Sequence, residues 1–580
     1  MRAVWRTLTV GVCLAAVAAA QPKVNAGGVV NAGGYTFLGQ PGIAQGAIIV
    51  IFGTGLGPPN ITYAPPAFPL PTTVPEGSGT SVRITPASGP ELNAPVIYTL
   101  ATQVAAILPS ATPPGKANLR VSYNGQTSDP EEILVVERNF AIFTWNQGGY
   151  GPAAVQNYVP PAPGTYPPNT LVNAAAPGQT VVLYGTGLGP IAGDDANAQP
   201  VANLTSDVEV IVGGRSIRPD YAGRTPCCAG EDQINFNLPE DAPEGCFVPL
   251  LVRVAGRDSN QGSLSIGRGR VCQDAFGLSE GVLTRLAEGG SVTFGSLSLS
   301  AFDSRFSFGG QNFETKSEDA SGQFVQYNAG VLALFGSFAV PSLTIKSGAC
   351  TSYSYTYKYD PEDPDGPPAP WWFSILDRIK PLDAGPKLVL SGAGKTWDMM
   401  QDPEGLDYFA QLYQSTTGLP PTGQPSLAAG RWTIQGPGGQ DVGAFTANLD
   451  LPQPLGWTQD IQEVNRSQPL GLVWTGGGAN DLVEITGSSS APVSGVADTW
   501  TTGGFTCIAR ASAGAFSVPA DVLSKLPATP GDTPGSGNLS LYLVSPTEAS
   551  RFTAPLTAGG EIDLGIFSYS FGHMRSVTYQ

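Results

Sequence analysis

The stretch "IIVIFGTGLGPPN" runs from Ile48 to Asn60, and its reading decides the fold of the first half of the chain. An apolar run meets closely spaced glycines, an arrangement that can precede a phosphate-binding helix. No helix can follow here. Pro58 and Pro59 come next, then Pro65, Pro66 and Pro69, and each removes a backbone donor and fixes φ. The spacing is Gly-x-Gly-x-Gly rather than GxGxxG, and no P-loop lysine follows. The stretch reads as a strand ending in a tight turn, with positive φ expected at one or more of Gly53, Gly55 and Gly57.

The same turn recurs. "TVVLYGTGLGPIAG" begins at Thr180, and Gly185, Gly187 and Gly189 answer Gly53, Gly55 and Gly57 at an offset of 132 (185 − 53). "QVAAILP" at Gln103 is answered by "QINFNLP" at Gln233, an offset of 130 (233 − 103). "NLRVSYNGQTSD" at Asn118 is answered by "LVRVAGRDSN" at Leu251. Near-constant offsets mean two copies of one domain of roughly 110–130 residues, the size of a β-sandwich. Within each copy the apolar residues alternate in period two, and Pro109 and Pro239 close equivalent strands. The intervening 139–170 is rich in Gly, Pro and Tyr and reads as a crossover linker. Phe140, Ile142, Phe143 and Trp145 within it are expected to be buried.

Composition agrees with an all-β chain. Of 580 residues 13 % are charged, while Gly (74) and Pro (53) supply many turns and 41 % hydrophobic residues suffice for real cores. Residues 1–20 read as a signal peptide: Arg2 and Arg6, an apolar Leu8–Val17, then Ala18-Ala19-Ala20. Val12 before Cys13 argues against a lipoprotein signal, so the expected location is secreted, extracellular or cell-surface, with no membrane span in the mature chain. The net charge of −17 becomes −19 without Arg2 and Arg6 (27 − 46). Such a surface repels a phosphate backbone and argues against nucleic-acid partners.

Six cysteines remain: Cys227, Cys228, Cys246, Cys272, Cys350 and Cys507. An even count in an exported chain reads as three disulfides. Adjacent cysteines seldom bond each other, since the trans peptide holds their sulfurs badly. The expectation is therefore that Cys227 and Cys228 each bond Cys246 or Cys272, leaving Cys350 to Cys507. A zinc site on the four clustered cysteines is the alternative.

"VIFGTGLGP" and "VLYGTGLGP" resemble the strand-and-turn signature of IPT/TIG-type immunoglobulin-like domains. More widely, Asn31–Cys272 is similar to a family of bacterial secreted proteins with paired domains of this kind. "GRTPCCAGEDQINFNLPEDAPEGCFVPLLVRVAGRDSN", Gly223–Asn260, matches its branch with adjacent cysteines. The first copy departs from the pattern, lacking cysteines and the "QINF" form. The resemblance implies tandem Ig-like β-sandwiches, 21–138 and 171–274, in an exported protein. It brings no catalytic residues.

Residues 275–580 read as a further β-sandwich region, in one or two subdomains, from short strands such as "PKLVLSG" and "DLVEITGS" between glycine turns. "PADVLSKLP", Pro519–Pro527, is expected to be a helical turn. A single histidine, His573, excludes most Ser/His/Asp and His-rich metal sites and reads as a surface or strand residue. Two acidic loops stand out. Asp360, Glu362, Asp363 and Asp365 form the first; Asp398, Asp402, Glu404 and Asp407 form the second. Each reads as solvated loop, with calcium the sharper alternative, chiefly at Asp360, Asp363 and Asp365. Tyr353, Tyr355, Tyr357 and Tyr359 alternate along one strand, and Trp371-Trp372 follow the first acidic loop. Together they are the candidate ligand surface for carbohydrate or protein; the alternative is ordinary packing, which is the favoured reading for Trp371-Trp372. No cofactor other than calcium is expected. The functional expectation is a non-enzymatic binding, adhesion or scaffold protein. The alternative is a calcium-dependent polysaccharide-active enzyme using C-terminal carboxylates.

Overall fold

The computed structural model describes residues 21–580 except 35–41, 78, 150, 162, 199–203, 205–206, 275–276, 309–310, 329–346, 359–378, 404–405, 494–498, 530–536 and 545–549. Among the described residues strands take 54 % and helices 3 %, which makes the fold all-β.

The quoted stretch forms the strand Ile48–Thr54. It lies between Lys23–Asn31 and Gln103–Ile107 in a sheet completed by Val96–Leu100 and Thr62–Tyr63. The facing sheet centres on Gly115–Tyr123, flanked by Thr80–Pro86 and Glu131–Val136. Period-two alternation turns Val82 and Ile84 from one strand and Leu119 and Val121 from its neighbour onto Ile49, Ile51 and Val104. That packing is the core of the first sandwich.

The second sandwich repeats the pairing. Thr180–Thr186 lies against Asp232–Asn237 as Ile48–Thr54 lies against Gln103–Ile107. The register is conserved between the copies: Ile51 faces Val104, and Leu183 faces Ile234, at the sequence offsets of 132 and 130 (183 − 51, 234 − 104). The opposing sheet brings Val210, Leu250, Val252 and Leu264 onto Val181, Leu183, Ile234 and Phe236.

Residues 139–170, expected as a linker, are instead part of this second sandwich. Ala141–Ile142 and Val155–Asn157 both pair with Thr180–Thr186, and Gly151–Pro152 pairs with Gly262–Ile266. Phe140 and Ile142 join its core, as their apolarity demands, but Trp145 stays 49 % exposed, against expectation. The short paired runs between prolines satisfy the backbone groups that a free linker would leave to water.

The twin turns have divergent geometry. Gly55 has φ +65°, whereas in the second copy Gly187 and Gly189 have φ +106° and +127°. Gly53, Gly57 and Gly185 are needed for space instead. A Cβ on Gly185 would stand 2.4 Å from both the Ala141 carbonyl oxygen and the Phe140 ring. Gly185→Val is expected to abolish accumulation of folded protein, read as loss of protease-resistant material. A folded variant would refute the close-approach argument.

Downstream, the helix Glu280–Ala287 starts at Ser279, whose hydroxyl accepts from the Val282 amide, and it buries Val282, Leu283 and Leu286. Those residues pack on Cys246 and Cys272 of the second sandwich and on Val292 and Leu564 beyond it. The helix was not anticipated, although its Ser cap and i, i+3, i+4 apolar spacing are the usual start signal. The short helix Ala520–Leu523 coincides with the expected turn.

Among the described residues, most strands of the C-terminal region join one 15-stranded mixed sheet, with two separate two-stranded sheets beside it. Its middle is the parallel pair Ser291–Phe308 and Leu564–Ser576, with Gln311–Asn328 alongside. One edge is Phe445–Leu451 and the other Cys350–Lys358. The sheet curls over a single core reaching from Leu297 to Tyr579. Phe445 from one end meets Phe324 and Phe552, at ring-centre distances of 5.1 and 5.5 Å.

Candidate functional site at the junction of the N-terminal sandwiches

A buried polar cluster lies where the two sandwiches meet. Arg224 ends the strand Tyr221–Arg224 and Asp232 begins the next, so pairing places them side by side. Both are buried, and the guanidinium pairs with the carboxylate through Nη1 and Oδ1. Nη2 of Arg224 donates to the Gly189 carbonyl (3.1 Å) and, across the junction, to the Gly46 carbonyl (2.9 Å). The other Asp232 oxygen accepts from the Leu188 amide at 2.7 Å. Burial pushes the Asp232 carboxyl up, against the pull of Arg224 and of the Leu188 and Gly187 amides.

Further bonds cross the same boundary. Asp195 accepts from the Ser110 amide and hydroxyl, both at 2.7 Å. Thr186 donates to the Gly230 carbonyl (2.7 Å) and accepts from the Ile48 amide (2.9 Å). Asn260 donates to the carbonyls of Ile142, Gly149 and, in the first sandwich, Gly33. The second "GTGLGP" turn is thus built into the junction: its Gly189 carbonyl and Leu188 amide serve the Arg224–Asp232 pair.

Between Arg224 and Asp232 runs the loop carrying the adjacent cysteines. Cys227 and Cys228 are bonded to each other, and Cys246 is bonded to Cys272. The expected pairing of Cys227 or Cys228 with Cys246 or Cys272 is therefore incorrect. The reason is spatial. The loop is folded onto the first sandwich, Gly230 standing against Ile48 and Ile107, while Cys246 and Cys272 pack with the helix Glu280–Ala287. Cys350 and Cys507 are bonded, as directly opposed residues of neighbouring strands. Three disulfides are what a chain matured in an oxidising compartment carries. The signal-peptide expectation at 1–20 lies outside the described residues.

Glu231 follows the loop. Burial, and then repulsion from Asp232, raises its carboxyl to about 7. A carboxyl raised on folding stabilises the fold below its unfolded value, near 4.5, and loses that contribution as pH rises through about 7. Denaturant unfolding should show the N-terminal half losing roughly 1–3 kcal/mol between pH 5 and pH 8. Glu231→Gln should flatten that slope; an unchanged slope would refute the assignment.

The other sites anticipated from sequence fall only partly within the described residues. In the second acidic loop Asp398 pairs with Lys387 at 2.7 Å, and the Asp402 amide donates to the Asp407 carbonyl. Among the described residues, the one group of metal-ligand type that converges is Cys227, Cys228 and Glu231. Tyr353, Tyr355 and Tyr357 lie on the edge strand Cys350–Lys358, their backbones opposite Gly504, Thr502 and Trp500. Their side chains lie outside the described set, as do Tyr359, Asp360, Glu362, Asp363, Asp365, Trp371, Trp372 and Glu404.

His573 sits on the strand Leu564–Ser576, part-buried. Its Nε2 bonds the Leu455 carbonyl at 2.8 Å, and its Nδ1 faces Asp303 at 3.6 Å. Arg575, buried beside it, bonds Asp303 at 3.2 Å and stacks on Trp457, 5.0 Å from the ring centre. This cluster ties the strand Leu564–Ser576 to Asp303 and Trp457.

No family model and no curated protein matches the chain. Solved structures give distant likenesses. Domains 5–6 of the S-layer protein SbsC match at 13 % identity, covering 42 % of this chain and 98 % of that one, with a TM-score of 0.15. The native conformation of E. coli alpha-2-macroglobulin matches at 10 % identity, covering 88 % of this chain and 28 % of that one, at 0.11. The yeast delta-COP-I mu-homology domain matches at 7 % identity, covering 50 % and 98 %, at 0.14. Scores this low carry no inference about role. No helix among the described residues is long and apolar enough to cross a membrane.

Proposed function

We propose that this chain is an exported, non-enzymatic modular scaffold, cell-surface or extracellular, whose C-terminal half engages a carbohydrate or protein partner. The observation that carries the reading is the junction. A buried ion pair, with side-chain bonds from Arg224, Thr186, Asp195 and Asn260 to the first sandwich, fixes the two N-terminal units against each other. Inter-domain contacts are commonly loose and polar; this one is buried and bonded, as suits a spacer holding a fixed reach. Tandem Ig-like sandwiches of IPT/TIG type would fit that use. The test is a glycan array and a surface-protein binding screen on the secreted chain, each run with and without EDTA. Binding that survives EDTA, with no polysaccharide cleavage, is expected. Cleavage of a glycan would overturn the non-enzymatic reading, and absence of binding to either class would overturn the partner half.

A further inference from the structure

We propose that Cys227, Cys228 and Glu231 form a redox-gated site for one thiophilic divalent cation, closed as the disulfide and opened by reduction.

The three disulfides are unequally reachable. Cys246, Cys272 and Cys507 are buried and Cys350 is partly exposed, whereas Cys227 is exposed and Cys228 partly so, the one bond with a fully exposed member. A small reductant therefore reaches the Cys227–Cys228 bond first. Reduction there leaves two thiols on neighbouring residues of a loop that does not depend on the bond for its shape. The Thr225 amide donates to the Glu231 carbonyl (3.0 Å) and the Glu231 amide to the Cys228 carbonyl (3.4 Å). The Cys228 amide donates to the Thr225 hydroxyl (3.2 Å), and Gly230 is seated against Ile48 and Ile107.

Glu231 supplies the second, independent observation. Its carboxylate makes no hydrogen bond or ion pair among the described residues, yet it lies with both sulfurs inside a 4.8 Å span. In a tetrahedral zinc site, sulfur and oxygen ligands stand about 3.5–3.8 Å apart, so closure asks for roughly 1 Å of side-chain movement. Two thiolates and one carboxylate select a borderline or soft cation such as zinc or cadmium over calcium. Three protein ligands leave a fourth position for water.

The chemistry balances. A dithiol reductant gives two electrons and two protons; the Cys227–Cys228 bond breaks, both sulfurs become thiols, and the reductant's own sulfurs join as a disulfide. The cation then binds the two sulfurs and releases their two protons to solvent.

The test uses the full secreted chain, mildly reduced with a dithiol that is then removed without air, and titrated with cadmium. Thiolate-to-cadmium absorption should rise to one equivalent in reduced protein and stay flat in unreduced protein. Cys227→Ser/Cys228→Ser should abolish the signal, and Glu231→Gln should weaken binding about 10-fold or more. The inference is overturned if the dithiol leaves the bond intact, if unreduced protein binds equally, or if the double variant keeps its equivalent. Unchanged affinity in Glu231→Gln would overturn it too. Mass mapping of alkylated thiols confirms which bond was opened, and far-ultraviolet circular dichroism of each variant separates lost ligands from lost folding.

Discussion

Arg224→Ala is expected to destabilise the N-terminal half by about 3–5 kcal/mol, the cost of leaving one member of a buried ion pair without its partner. Asp232 is fully buried, so no water can replace the guanidinium. The same change removes the donor to the Gly46 carbonyl and with it one tie to the first sandwich. Chemical denaturation followed by intrinsic fluorescence reads the loss. Arg224→Met with Asp232→Leu removes both charges, and should recover more than half of the stability lost by the single change. If Arg224→Ala unfolds within about 1 kcal/mol of wild type, the pair does not hold the junction. If the double change is as unstable as the single, the cost is one of packing rather than stranded charge.

The second large effect concerns Cys350–Cys507, which closes a loop of 157 residues. In the chain-entropy account, a cross-link over that span lowers the freedom of the unfolded chain by about 5 kcal/mol. Cys350→Ser/Cys507→Ser should lower the C-terminal midpoint by an amount approaching that figure, while the N-terminal transition stays put. The bond joins the edge strand Cys350–Lys358 to Thr499–Arg510, so the loss should appear first as exchange of that edge's amides. A C-terminal midpoint unchanged on removal would show that strand pairing alone fixes the edge.

The repeat was legible because its evidence is redundant: turn, strand and offset agree, and the Leu183–Ile234 pairing copies Ile51–Val104. The junction was not legible. Arg224, Asp232, Asp195 and Thr186 look like ordinary surface residues in a linear reading, because their burial depends on how two domains dock. The Cys227–Cys228 bond runs against the general steric preference, and the seat of its loop on Ile48 and Ile107 leaves no trace in the linear sequence. The segment 139–170 was misjudged because prolines and glycines signal turns equally well inside a sandwich and between two. The helix Glu280–Ala287 could have been found from Ser279 and its apolar spacing. The single large C-terminal sheet could not, since its central parallel pairing joins strands some 270 residues apart in sequence (564 − 294).

That last pairing dictates an order of assembly. Ser291–Phe308 leaves the ribosome some 270 residues before its partner Leu564–Ser576 (564 − 294). Until the final residues emerge, the strand has an open side that any extended segment could occupy. The two sandwiches ahead of it close through contacts within their own spans and can be complete while the large sheet still waits. A chain stopped short of residue 564 should therefore deliver a finished front half on an adhesive, unfinished back half.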